Sequence, residues 1–177
     1  SCAWRLAGAG HAVIVLDPAA GSGATHAAAG MIAPASEATF GQDSLLEVSL
    51  ASAALWPSFA ADLSRDAGSP VPLSPGGTLL VALDADDDAA LERHAAHLNG
   101  RGCSGKRLTS RDARRLEPAL SPRVTGALRL DETAVDPRTV TSALHTALAR
   151  RGGTVLATRG EPVLREGVAV GARPVDE

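Results

Sequence analysis

Two neighbouring features of this chain could do chemistry. The first is Asp17, which closes the apolar run "HAVIVLD" and stands beside Pro18. A carboxylate at the end of a buried strand can accept hydrogen bonds from ribose hydroxyls, and its charge repels a 2′-phosphate. An acid beside a turn-forming proline can equally be a plain strand end. The second is the stretch "GATHAAAGMIAP", residues 23–34, which has no large side chain before Met31. A broad planar ligand lying against the backbone would require such small residues, together with free main-chain N–H groups over residues 27–30. Thr25 and His26 could then hydrogen-bond a phosphate or a ring edge. A helix start packed tightly on a sheet would favour alanine as well, so both readings stand at this level.

The remaining polar residues read as structural. His11 follows a helix-ending glycine. His94, His97 and His145 lie on helical patterns among Ala and Leu, and no third ligand converges on the His94/His97 pair, so no metal site is expected. Cys2 and Cys103 are the only cysteines, which gives neither a disulfide framework nor zinc spacing and makes a reducing cytoplasm the default expectation. Arg114, Arg115, Arg150 and Arg151 read as solvated helix charges.

The elements that would position Asp17 and the small-residue stretch are legible on either side of them. Cys2, Ala3, Leu6 and Ala7 share a helical face that Gly8 or Gly10 can end. The following run is short, unalternated and β-branched, the pattern of a parallel strand buried on both faces. Helix, glycine turn, strand and acid together read as the second half of a Rossmann βαβ unit. The fingerprint G-x-G-x-x-G would precede the first helix, and Gly8 to Gly10 cannot replace it because they follow that helix.

Further on, residues 42–66 carry a long helical pattern that Pro57 is expected to kink or split. "GGTLLVAL" reads as a strand and "DADDDAALERHAAHLNG" as a helix with acids in its first turn. "TSRDARRLEP" opens on the capping pair Thr109 and Asp112. "VTGALRL" is a strand, and "VDPRTVTSALHTALARRGG" has Asp136 at the N-cap with Pro137 after it. "TVLAT", "EPVLRE" and "GVAVGA" are short strands with a turn at Glu166 and Gly167. The middle strands are assigned to a second sheet inserted into the first lobe.

Bulk properties narrow the function. The chain has 177 residues, 45% hydrophobic and 2% aromatic, so its core must be built from Leu, Val and Ala. The net charge of −3 offers no basic surface for nucleic acid. No apolar stretch is expected to reach the roughly 18 residues of a membrane span, and no membrane partner is expected. The chain enters a helical pattern at Ser1 and stops in mid-pattern, so it is expected to be a fragment.

The segment "SCAWRLAGAGHAVIVLDPAAGSGATHAAAGMIAPASEA" resembles the N-terminal FAD-binding segment of the D-amino-acid oxidase superfamily, and within it the bacterial glycine oxidases of thiamine biosynthesis. The likeness continues, in order and spacing, through "GTLLVALDADD", "LTSRDARRLEPALSP" and "VDPRTVTSAL". It implies an α/β fold: a partial Rossmann-type FAD-binding domain with an inserted α+β portion of a substrate domain, lacking the first strand and the C-terminal half. The corresponding segments are 1–40 (FAD-binding), 41–75 (helical), 76–130 (substrate-domain sheet and helices) and 131–177 (return to the FAD-binding domain).

The resemblance also implies roles. Asp17 and Pro18 would sit at the adenosine ribose of FAD. Ala24 and Thr25 would lie near the pyrophosphate or ribityl chain. Ala29, Gly30 and Met31 would line the isoalloxazine through main-chain amides, and Val163 would meet adenine through its backbone. His26 is given proximity and no catalytic role. The implied reaction is oxidative deamination of glycine or another small amine to the imine or oxoacid, with oxygen reduced to peroxide. The partners would be that amine and oxygen, and the resemblance is compatible with a homo-oligomer of the full-length protein. No catalytic residue is nominated, because the carboxylate-binding arginine and most of the substrate pocket belong to the family's C-terminal half. The segment alone is expected to bind FAD poorly and to turn nothing over. The alternatives are a sarcosine or D-amino-acid oxidase of the same superfamily, and a non-catalytic lobe or interaction module whose alanine-rich loop is packing only.

Overall fold

A computed structural model describes residues 1–175. The elements run α1 (Cys2–Gly8), β1 (Ile14–Leu16), α2 (Ala24–Ala27), β2 (Met31–Ile32), α3 (Asp43–Ala67), β3 (Leu73–Ser74), β4 (Thr78–Ala82) and α4 (Ala85–Asn99). They continue with β5 (Lys106–Thr109), α5 (Ser110–Leu116), β6 (Gly126–Leu130), β7 (Thr133–Val135), α6 (Pro137–Arg150), β8 (Thr154–Leu156), β9 (Arg159–Arg165) and β10 (Val168–Val175). This is a mixed α/β architecture. It divides into two compact units. One comprises Ser1–Gly30, Ser58–Pro72 and the chain from Asp136 onward; the other comprises Met31–Pro57 and Leu73–Val135.

The first unit has a Rossmann-like kernel. β1 and β8 pair in parallel, Ile14 with Thr154 through Leu16 with Leu156. A helix precedes each strand, and these helices, α1 and α6, lie side by side. The N-cap carboxylate of Asp136 accepts the Arg138 N–H at 3.1 Å, and Pro137 opens α6 where a missing N–H costs nothing. Trp4, Ala7, Ala60, Leu63, Ala67, Ala143, Ala147 and Leu148 supply buried apolar surface. β9 and β10 form an exposed antiparallel hairpin turning at Glu166 and Gly167.

Two expectations need correction here. β1 is parallel but not buried on both faces, since Ile14 is 66% exposed. Among the described residues β8 is its only strand neighbour, so one edge of β1 is unpaired. Pro57 does not split α3, which is helical without interruption over 25 residues. One proline removes one donor, and the turns on either side keep theirs.

By length and composition alone α3 is apolar enough to cross a membrane, contrary to the expectation that no stretch reaches that length. Leu46, Ala60, Leu63 and Ala67 of this helix are buried in protein.

The second unit holds two antiparallel three-stranded sheets, in the orders β4-β6-β5 and β2-β7-β3. α4 lies on β4 and β6. Its Asp84 N-cap accepts N–H groups from Asp86 and Asp87, each at 3.0 Å. Ala35, Leu46, Ala82, Leu91, Ala95, Leu98, Leu128 and Leu130 form the core. Its side chains are small or γ-branched, as the near absence of aromatics requires.

Candidate functional site

The segment from Asp17 to Met31 crosses the end of β1, two glycine turns and the single turn of α2. At Asp17 the chain leaves the parallel pair: its N–H donates to the Leu156 carbonyl at 3.1 Å, which extends the ladder by one residue. Its Oδ1 then accepts the Ala19 N–H at 3.0 Å, closing a local turn across Pro18. One carboxylate oxygen is thus used in holding the loop. The residue is half-exposed.

Gly21 brings the loop against α6. Its φ is +82°, and a Cβ there would lie 2.7 Å from Thr141 Cγ2, so only glycine fits both the conformation and the approach. α6 is fixed at that end by Asp136, whose carboxyl is held below the usual carboxylate range. The Thr139 hydroxyl is the main cause, and the Arg138 N–H and guanidinium add to it against the opposing effect of burial.

Residues 23–29 are all exposed. α2 lies beside α6 and buries none of its own residues. Among the described residues no sheet packs against these small side chains. The surface they present is mostly methyl groups and main chain, a shape that a flat ring system can approach. Two of the amides expected to be free over residues 27–30 are in use: Ala27 N–H donates to the Gly23 carbonyl at 3.1 Å and Ala28 N–H to the Ala24 carbonyl at 2.9 Å. The first-turn amides of Ala24 and Thr25 have no acceptor within the helix. After Ala28 the chain is extended, and Ala29 leads into Gly30, whose φ of +76° suits glycine. Met31 begins β2 and is 60% exposed.

The structure therefore places Asp17, Pro18, Ala24, Thr25, Ala29 and Gly30 on one continuous loop of the first unit. Val163 lies in the same unit, on β9, opposite Gly171 of β10 beside a bulge in the pairing. Met31 is the first residue of the second unit. His26 is exposed in the last turn of α2. Among the described residues no cluster of three or more His, Cys, Asp or Glu side chains is arranged to hold a metal.

Two residues hold the segment beyond Met31: Glu132, which the sequence does not single out, and His94, which reads there as a structural helix residue. Glu132, 7% exposed, accepts N–H groups from Ala35 at 2.8 Å and Ser36 at 2.9 Å through Oε1. His94 Nε2 lies 2.9 Å from the Ala35 carbonyl and so carries the proton there. In the sequence Glu132 reads as one more acid of the turn "LDETAVD". Its partners are 96 and 97 residues away, so no local signal marks it.

A family model described as FAD dependent oxidoreductase matches residues 1–173. Among solved structures the chain is similar to glycine oxidase from Geobacillus kaustophilus, at 29% identity and TM-score 0.82, covering 89% of this chain and 43% of that one. It is similar to glycine oxidase from Bacillus cereus ATCC 14579, at 24% identity and TM-score 0.84, covering 96% and 46%. It is also similar to iminodiacetate oxidase from Chelativorans sp. BNC1, at 22% identity and TM-score 0.72, covering 99% and 49%. The last two likenesses speak to fold alone. The chain thus spans less than half the length of these solved proteins. No curated protein matches it. The match over residues 1–173 covers the parallel pair, the strand-end acid and the exposed small-residue loop together, and by it the chain belongs to the FAD dependent oxidoreductase family.

Proposed function

We propose that the complete protein containing this chain is an FAD-dependent oxidase of glycine or another small amine, which forms the imine or oxoacid with hydrogen peroxide and serves thiazole assembly in thiamine biosynthesis. The observation that carries this reading is the exposed small-residue loop that begins after the strand-end carboxylate of Asp17 and runs into Met31. The 29% identity to a glycine oxidase, at TM-score 0.82, favours glycine among amine substrates.

Bound FAD would accept the hydride from the amine carbon and pass the electrons to oxygen. The protein's contribution here is placement. The second carboxylate oxygen of Asp17 accepts a ribose hydroxyl, while Pro18 stiffens the turn. The first-turn amides of Ala24 and Thr25, which have no acceptor within the helix, would donate to the diphosphate or ribityl chain. Ala29, Gly30 and Met31 present main chain to the ring, and Val163 offers its backbone to adenine. Nothing assigned to this chain acts as acid or base.

The test is to purify the complete protein, record the flavin absorbance and measure peroxide with glycine, sarcosine, D-alanine and iminodiacetate. Yellow protein and fastest turnover with glycine support the reading. Turnover confined to sarcosine or D-alanine moves it to another amine oxidase. A colourless protein that FAD does not reconstitute overturns it in favour of a non-catalytic lobe.

A further inference from the structure

We propose that Glu132 is a positioning residue for the flavin, locking the register of the strand that begins at Met31; this rests on the reading of Met31 as a ring contact. β2 has only two residues, and its pairing with β7 consists of Met31 with Ala134 and Ile32 with Thr133. So short a ladder specifies its register weakly. The residue next to Thr133 is Glu132, and its carboxylate takes up the same segment farther on, at the amides of Ala35 and Ser36. Successive residues 134, 133 and 132 therefore hold 31, 32 and 35–36.

The acceptor works on backbone already shaped to receive it. Residues 33–38 make a helical turn, with Glu37 N–H donating to the Ala33 carbonyl and Ala38 N–H to the Ala35 carbonyl, each at 3.3 Å. Glu132 Oε1 caps the two amides at the start of that turn, as an N-cap side chain does, but from the distant connection between β6 and β7. The Ala35 peptide is gripped from the other end as well, by His94 of α4. Ala33 and Ala35 are buried, so a slip of one residue would exchange buried methyls for their neighbours and would strand both capped amides.

A third observation sets Glu132 apart from an ordinary cap. Its Oε2 is buried and has no hydrogen-bond partner. Burying a carboxylate oxygen without a partner costs free energy, which a residue with no positional role gains nothing by bearing. Either Gln or Glu can supply Oε1 to the two amides, whereas a leucine of similar size cannot.

The experiment uses the complete flavin-loaded protein and the variants Glu132→Leu, Glu132→Gln and Glu132→Asp, with Leu91→Ala as a control for simple destabilisation of the same unit. Three quantities are read: amide hydrogen exchange at Ala35 and Ser36, the flavin Kd, and the visible circular dichroism of the flavin. In Glu132→Leu the two amides are expected to exchange at least about 10-fold faster, the flavin Kd to rise on the order of 10-fold, and the visible dichroism to change. Glu132→Gln keeps all three within about threefold of the parent, and Leu91→Ala leaves the dichroism unaltered.

If Glu132→Leu does not fold, Glu132→Asp decides, because it moves the acceptor by one methylene and should raise the Kd and alter the dichroism in a folded protein. Faster exchange with unchanged Kd and dichroism overturns the proposal, as does unchanged exchange. A parent protein without flavin sinks the functional reading itself, an outcome visible before any variant is made.

Discussion

The Trp4 indole N–H donates to Asp66 Oδ2 at 2.8 Å and so ties the first helix of the chain to the end of α3. Around this bond, Arg151 pairs with the same carboxylate oxygen. The Phe59 ring meets Trp4 edge-on with centroids 5.6 Å apart, and the Arg5 guanidinium lies 4.3 Å from the centre of the indole. In a chain with two tryptophans and two phenylalanines, this cluster concentrates half of its large aromatic residues in one place. α1 leads directly into β1 and Asp17, so the cluster fixes the element that delivers the strand-end carboxylate.

Trp4→Phe should therefore destabilise the first unit by about 1–3 kcal/mol, through loss of the N–H donor and part of the ring. Trp4→Ala should cost about 3–5 kcal/mol. Urea unfolding followed by circular dichroism checks both. A midpoint unchanged in Trp4→Phe would mean that the Asp66 bond contributes nothing.

The same carboxylate makes stability depend on acid. Burial pushes the Asp66 carboxyl up, but the Trp4 N–H and the Arg151 guanidinium together outweigh it and hold the group below its ordinary value. Asp43 is lowered mainly by the Arg101 guanidinium at 2.5 Å, and Asp62 mainly by Arg65, also at 2.5 Å. A carboxyl lowered in the folded state stabilises above its unfolded value, near pH 4, and that contribution is lost as the pH falls through the folded value. Melting temperature should accordingly drop below about pH 4. Asp66→Asn should lie below the parent at neutral pH and fall less steeply on acidification. Parallel curves for parent and variant would refute the assignment to Asp66.

How far the sequence reveals this molecule depends on how local each signal is. The capped helices are legible because cap and helix adjoin: Asp84 precedes α4, Thr109 precedes α5 and Asp136 precedes α6, and each accepts an N–H within three residues. The capping pair of α5 is modified, since Thr109 Oγ1 donates to Asp112 Oδ2 at 2.8 Å and accepts only the Asp112 N–H in return. β2, β3 and β7 have two or three residues each, too few for any periodicity. "KRLT" of β5 begins with two cations and is too short to show an alternation of its own; its pairing with β6 makes it a strand. The loop after Asp17 is recognisable from side-chain size alone. The hold on its far end is not, because Glu132 and His94 reach Ala35 from other elements.

Asp17 bears on cofactor affinity directly. With Oδ1 committed to the Ala19 N–H, substitution by alanine removes both the loop bond and the proposed ribose acceptor. Asp17→Ala in the complete protein should raise the FAD dissociation constant on the order of 10- to 100-fold, the range of a hydrogen bond to a charged group. Asp17→Asn keeps an acceptor for Ala19 and should raise it less. Fluorescence titration of the apoprotein measures both. Equal affinity in the parent and Asp17→Ala would remove Asp17 from the site.

The β9–β10 turn offers a test of backbone strain at the edge of the first unit. Glu166 has φ of +52° and Gly167 has φ of +78°, so both central residues of this two-residue turn lie in the left-handed region. That geometry suits the right-handed twist of a hairpin and selects Asn-Gly or Gly-Gly, whereas a long side chain with a Cβ carries a conformational cost of roughly 1–2 kcal/mol there. Glu166 is the only non-glycine with positive φ among the described residues. Glu166→Asn should relieve part of that cost and slow amide exchange across residues 159–175 without altering the core. Glu166→Val, β-branched and unable to bond its own backbone, should speed that exchange and loosen Val163, which lies three residues before the turn. The pair of variants separates strain from charge, because both remove the carboxylate and only one should stabilise. Equal exchange in the two would place the turn in another conformation and would leave Val163 without a fixed position from which to meet adenine.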